Sequence, residues 1–101
     1  MKIEFLYFKN CPGHESALSL LEYVLLEGGI SESIEKIEVT TEELAIRHHF
    51  LGSPSIRING KDIEGREDAS EYGLKCRVYQ VDGKLQGFPS EQLIRNGILK
   101  A

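Results

Sequence analysis

The sequence predicts one α/β domain over residues 1–101: a mixed sheet of about four to five strands flanked by three helices, with a strand-bearing insertion before the last helix. Three observations predict it. Short apolar, β-branched runs alternate with stretches of helical periodicity. An Asn59-Gly60 pair joins two strand-like segments directly, and a last helical pattern closes the chain. With 101 residues, 41% hydrophobic and 28% charged, the chain has the size and composition of one globular core.

Each element has its local reason. Residues 3–8 hold Ile3, Phe5, Leu6, Tyr7 and Phe8 and read as a mostly buried strand. Pro12 fits the first helical position, where its missing N–H is harmless. Across 15–27, Leu18, Leu21 and Leu25 fall at helical spacing, Ala17, Leu20 and Val24 widen that face, and Gly28-Gly29 stops the helix. Ile37 and Val39 alternate in a second strand over 34–39. Thr40 and Glu43 have capping-box spacing, which predicts a second helix running to about residue 50, where Gly52-Ser53-Pro54 breaks the pattern.

Residues 55–58 form the third strand, Asn59-Gly60 turns it, and Lys61-Asp62-Ile63 begins the return. A polar loop is expected over 64–73. A further strand follows over 76–81, closed by Asp82-Gly83. Pro89-Ser90 opens the last helix, with Leu93, Ile94 and Ile98 on its core side. Strand–helix–strand–helix–strand–strand–helix gives a parallel pair of strands extended by a hairpin.

Charge and cysteine usage narrow the function classes. A net charge of −4 and twelve scattered Lys and Arg argue against nucleic acid or an anionic membrane as partner. No run approaches the roughly 18 apolar residues of a membrane span, and the first apolar run is too short for a signal-peptide core. A cytoplasmic location is therefore expected. Two cysteines are too few for a disulfide scaffold, and a reducing compartment disfavours a permanent bridge. Nothing in the pattern specifies an oligomeric state.

The chemistry concentrates at Cys11-Pro12-Gly13-His14. A cysteine between a strand and a helix start meets unpaired N–H groups and the positive end of the helix dipole, which lower its pKa from about 8.5 to roughly 3.5–7.5. Such a thiolate is a nucleophile at neutral pH. His14, three residues on, can share its face and either lower the thiol pKa as an imidazolium or accept its proton. His48-His49 reads as solvated helix surface.

The position of Cys76 decides the mechanism. Direct pairing of its strand with 55–58 would leave it some 13–16 Å from the Cys11 end, at about 3.3 Å per residue. Because Asn59-Gly60 already turns the chain and Lys61-Asp62-Ile63 returns it, the loop over 64–73 starts at the Cys11 end. That arrangement, the favoured one, puts Cys76 within reach of Cys11. A metal held by Cys11, His14 and Cys76 lacks a fourth ligand and a Cys-x-x-Cys pair, so no metal or cofactor is expected.

Cys11-Pro12-Gly13-His14 resembles the active-site turn of the thioredoxin-like superfamily with its second cysteine replaced by histidine. Ser53-Pro54-Ser55-Ile56-Arg57-Ile58-Asn59-Gly60 resembles that family's cis-proline segment and hairpin in its glutaredoxin version. The resemblance implies a thioredoxin-like fold and a cis Ser53–Pro54 bond. It also implies that Pro12, Ser53 and Pro54 contact a substrate beside the reactive cysteine. The glutathione-holding stretch of glutaredoxins is matched in part by Glu64-Gly65-Arg66-Glu67-Asp68. The Gly73-Leu74-Lys75-Cys76-Arg77-Val78-Tyr79 segment is similar to one in small thioredoxin-like proteins sometimes labelled alkylmercury lyase-like.

The expected function is thiol–disulfide exchange with a protein or small-molecule thiol or disulfide. Cys11 acts as nucleophile, by monothiol exchange or with Cys76 as resolving thiol. Two alternatives stand beside it: a non-catalytic binding module using the Pro54 surface, and soft-metal or organomercurial handling by Cys11 and Cys76.

Overall fold

The alternation of the first strand organises the molecule. In the computed structural model, which describes residues 1–65 and 72–100, β1 (Ile3–Tyr7) sends Ile3, Phe5 and Tyr7 to one side and Leu6 to the other. Both sides are apolar, so the strand belongs in the middle of a sheet covered on two faces. The first face packs against α1 (His14–Glu27) and α3 (Glu91–Leu99) through Ala17, Leu21, Leu25, Ile94 and Ile98. The second face packs against α2 (Glu42–Arg47) through Val39, Ala45 and Phe50.

Beside β1 run β2 (Ile34–Glu38), parallel with Ile3 opposite Ile34, and β3 (Ser55–Ile58), antiparallel with Leu6 opposite Ser55. β4 (Lys61–Asp62) extends β3, giving the order β2-β1-β3-β4. Asn59 and Gly60 have φ of 54° and 83°, the left-handed pair that a two-residue hairpin of this twist requires. The expected α/β class, the mixed sheet and the three helices are all present.

Four local expectations are corrected. The strand expected over 76–81 is not a fifth strand of the main sheet. Cys76 makes only a parallel bridge to Ser53, and β5 (Tyr79–Val81) folds back on β6 (Lys84–Gln86) as a separate two-stranded sheet. Asp82 and Gly83, at φ 52° and 79°, turn the chain so tightly that its nearest partner is itself.

Pro12 is not the first residue of α1 but lies in the turn before it. Gly13 is the N-cap, and the Gly13 carbonyl accepts from Ala17 N. The cap of α2 is Thr41, not Thr40, its Oγ1 accepting from Leu44 N at 3.1 Å. The parallel ladder continues to Val39 N on the Tyr7 carbonyl, which keeps the chain extended for longer than the pattern implied.

Finally, α2 ends at Arg47 rather than near residue 50. His49 takes φ 54°, and Phe50 N reaches back to the Ala45 carbonyl. This left-handed stop returns Phe50 to the core, where it is fully buried. The same closure ends α1, with Gly29 at φ 64° and Ile30 N on the Leu25 carbonyl. Residues Arg66, Glu67 and Asp68 of the glutaredoxin-like stretch lie outside the described residues, as does most of the loop expected over 64–73. Among the described residues no helix is long and apolar enough to cross a membrane.

Candidate functional site

Cys11 sits between the end of β1 and the start of α1, its N–H donating to the Phe8 carbonyl at 3.0 Å. Only 1% of the residue is exposed. α1 has no side-chain cap, so no side chain competes for the N–H groups of its first turn. The His14 ring stacks on Tyr7 with centroids 5.3 Å apart, and its Nδ1 lies 2.8 Å from the Cys11 carbonyl oxygen. A carbonyl only accepts, so Nδ1 carries the proton. His14 is thus held against the Cys11 backbone, with Nε2 4.0 Å from the Glu15 carboxylate.

Ser53 joins the two ends of the site. Its Oγ accepts from Phe8 N at 2.9 Å, tying it to the end of β1. Its backbone N–H donates to the Lys75 carbonyl at 2.8 Å, and its carbonyl accepts from Arg77 N at 2.9 Å. These bonds bracket Cys76 and deliver it to Cys11. The two sulfurs form a disulfide across 65 residues of sequence, with Cα atoms 5.4 Å apart, inside the usual range of about 4.4–6.8 Å.

The Ser53–Pro54 bond is cis, as the resemblance implied, and both residues are buried. The Pro54 carbonyl accepts from the Tyr79 hydroxyl at 2.6 Å. Gly52, at φ 122°, is a close approach: a Cβ there would lie 2.9 Å from Arg77 Cβ.

Burial alternates along the segment from Cys76 to Tyr79. Arg77 and Tyr79 are buried, at 4% and 1% exposure, while Cys76 and Val78 are exposed. Arg77 Nη1 and Nη2 donate to the two carboxylate oxygens of Asp62 at 2.7 and 2.8 Å, a bidentate pair. Nη2 also reaches Glu64 at 2.6 Å, and Nη1 reaches Ser55 Oγ at 3.1 Å. The guanidinium lies 4.7 Å above the Tyr79 ring. Burial pulls the Arg77 pKa down, but the Asp62 hydrogen bond, the Tyr79 hydroxyl, the Asp62 charge and the Glu64 contact together raise it. Arg77 is therefore a permanent buried cation, and it locks 75–79 onto β3 and β4.

The structure thus brings Cys11, Cys76, His14, Ser53 and Pro54 together, with Pro12 exposed at the rim. His48 and His49 stand apart at the end of α2, where their carbonyls accept from Arg57. Sequence reasoning missed Arg77, Tyr79 and Asp62. Hydropathy would bury Val78 and expose Arg77. The available signal was Asp62 and Glu64 two apart just after the Asn59-Gly60 turn, two carboxylates close enough in the chain to share a distant cation.

Residues 14–98 match the DUF2703 family, described as a domain of unknown function, and the chain belongs to that family. The matched span includes Cys76 and begins after Cys11. Neither a curated protein nor a solved structure matches the chain.

Proposed function

We propose that this DUF2703 chain is a thioredoxin-like thiol–disulfide exchange protein in which Cys11 and Cys76 cycle between disulfide and dithiol. One observation carries the reading: a cysteine in the turn before a helix without a side-chain cap is bonded to a second cysteine held by paired backbone groups. The strand order β2-β1-β3-β4, with Cys11 after β1 and cis Pro54 before β3, supports the thioredoxin-like reading.

Two substrate thiols reduce the bridge. The first, as thiolate, attacks one sulfur, the S–S bond breaks, and the other cysteine leaves as thiolate. The second attacks the substrate's sulfur in the mixed disulfide, releasing an oxidised substrate disulfide and the remaining cysteine thiolate. The two substrate protons end on the cysteines. The start of α1 stabilises the Cys11 thiolate, and His14 fixes the Cys11 carbonyl while Nδ1 holds its proton. Ser53 and Pro54 act by presenting Cys76, since both backbone polar groups of Ser53 are engaged by 75–77. The substrate is a thiol or disulfide, small molecule or protein, met in a reducing cytoplasm.

The test is a redox titration in glutathione buffers, with free thiols counted by alkylation and mass. The expected result is one reversible two-electron transition, lost in both Cys11→Ser and Cys76→Ser. Full exchange activity in Cys76→Ser would instead support monothiol chemistry. A folded protein that neither loses the bridge to reduced glutathione nor regains it from oxidised glutathione refutes the proposal.

A further inference from the structure

We infer that exchange enters this disulfide at Cys76, and that Cys11 is the sulfur released; the inference rests on the thiol–disulfide reading above. A thiolate displaces a sulfur in line, approaching the attacked atom along the extension of the S–S bond, opposite the leaving sulfur. Access to that line therefore decides which sulfur reacts.

Cys11 offers almost no surface to such an approach. The residue is 1% exposed, and Gly13 of the same turn packs against Gly87, in the segment before α3. Gly13 packs so closely beneath Gly87 that an added Cβ would overlap the Gly87 carbonyl. Cys76, by contrast, is an exposed residue, so solvent and an incoming thiol meet the bond from its side.

This exposure follows from the anchoring of the segment. Side chains of an extended chain alternate, and Arg77 and Tyr79 are pinned inward by Asp62 and the Pro54 carbonyl. Cys76 and Val78 are left as the exposed residues of this segment. Of the residues flanking the two cysteines, Asn10, Pro12 and Lys75 are exposed and Arg77 is buried.

Leaving-group chemistry points the same way. Of the two sulfurs, Cys11 belongs to the turn that leads into α1, where the positive end of the helix dipole favours a departing thiolate. The step balances as R–S⁻ plus Cys11–S–S–Cys76 giving R–S–S–Cys76 plus the Cys11 thiolate. In reverse, the Cys11 thiolate attacks the Cys76 sulfur of the mixed disulfide and expels R–S⁻. Cys76 is then the substrate-bearing thiol and Cys11 the internal one, exchanging the roles expected from the sequence.

The test uses glutathione as probe. Oxidised wild-type protein is mixed with reduced glutathione, quenched in acid at intervals and alkylated, and the adduct is mapped by peptide mass. The expected result is glutathione on Cys76 with Cys11 alkylated. Cys11→Ser and Cys76→Ser are then each treated with oxidised glutathione. Reaching buried Cys11 needs a local opening, so Cys76→Ser reacts slower by about tenfold or more, and the difference disappears in urea.

Glutathione mainly on Cys11 of the wild type, or equal rates for the two folded variants, overturns the inference and leaves the exchange function standing. No adduct and no reduction of folded wild type overturns both. Where a single-cysteine variant does not fold, the wild-type map alone decides.

Discussion

Reducing the Cys11–Cys76 bond removes a cross-link between residues 65 apart in the chain. In the chain-entropy description, closing a loop of that length in the unfolded ensemble costs about 14–15 cal/mol/K, or about 4 kcal/mol at 25 °C. A domain of this size has about 5–15 kcal/mol in total, so the reduced protein loses a large share of its stability. At about 4–8 °C per kcal/mol, the melting temperature falls by about 15–30 °C. The same energy closes a thermodynamic cycle. If the bond stabilises the fold by about 4 kcal/mol, the fold stabilises the bond equally, which places the native pair about 90 mV below the same pair in the unfolded chain. Urea denaturation of the oxidised protein, the dithiothreitol-reduced protein and Cys76→Ser measures the first number. A glutathione titration with and without denaturant measures the second. A stability difference below about 1 kcal/mol would refute the reasoning, because the native fold would then not be holding the two thiols together any better than the unfolded chain does.

Arg77→Met leaves the Asp62 carboxylate buried and uncompensated, and is expected to cost about 3–5 kcal/mol by urea denaturation. Adding Asp62→Leu should recover a large part of that loss, and a double variant no more stable than the single one would contradict the assignment. Gly13→Ala drives a methyl into the Gly87 carbonyl, and a loss of about 1–3 kcal/mol is expected in thermal melts, with Cys11 becoming more accessible to alkylation after reduction. Ser90→Ala removes the Oγ that accepts from Leu93 N at 3.1 Å, and should lower stability by about 1 kcal/mol without changing the reduction potential of the cysteine pair.

Local pattern carried much of the fold, and where it misled, the cause was another element. Thr40 has the capping-box spacing, but the ladder between Val39 and Tyr7 carries the strand onward and hands the cap to Thr41. Phe50 reads as the tail of a helix, yet it ends in the core because His49 accepts a left-handed turn. The strand at 76–81 was legible as extended chain. Its partner was not, because Lys84-Leu85-Gln86 carries almost no apolar signal and pairs through its backbone.

What the sequence determined by itself is what neighbours in the chain decide among themselves. The two-sided alternation of β1, the helical face of α1, the Asn59-Gly60 turn and the cysteine at a strand-to-helix junction all follow from spacing and backbone preference. The favoured route of the chain even brought Cys76 toward Cys11. Which way Cys76 faces was decided only in three dimensions. A buried Arg77 is intelligible only beside Asp62, Glu64 and Ser55, and these come together because β4 closes on β3 and 75–77 runs along Ser53. An ion pair needs its partner to survive burial, and hydropathy along one strand contains no record of a partner elsewhere in the chain. That pairing buries Arg77 and leaves its neighbour Cys76 exposed.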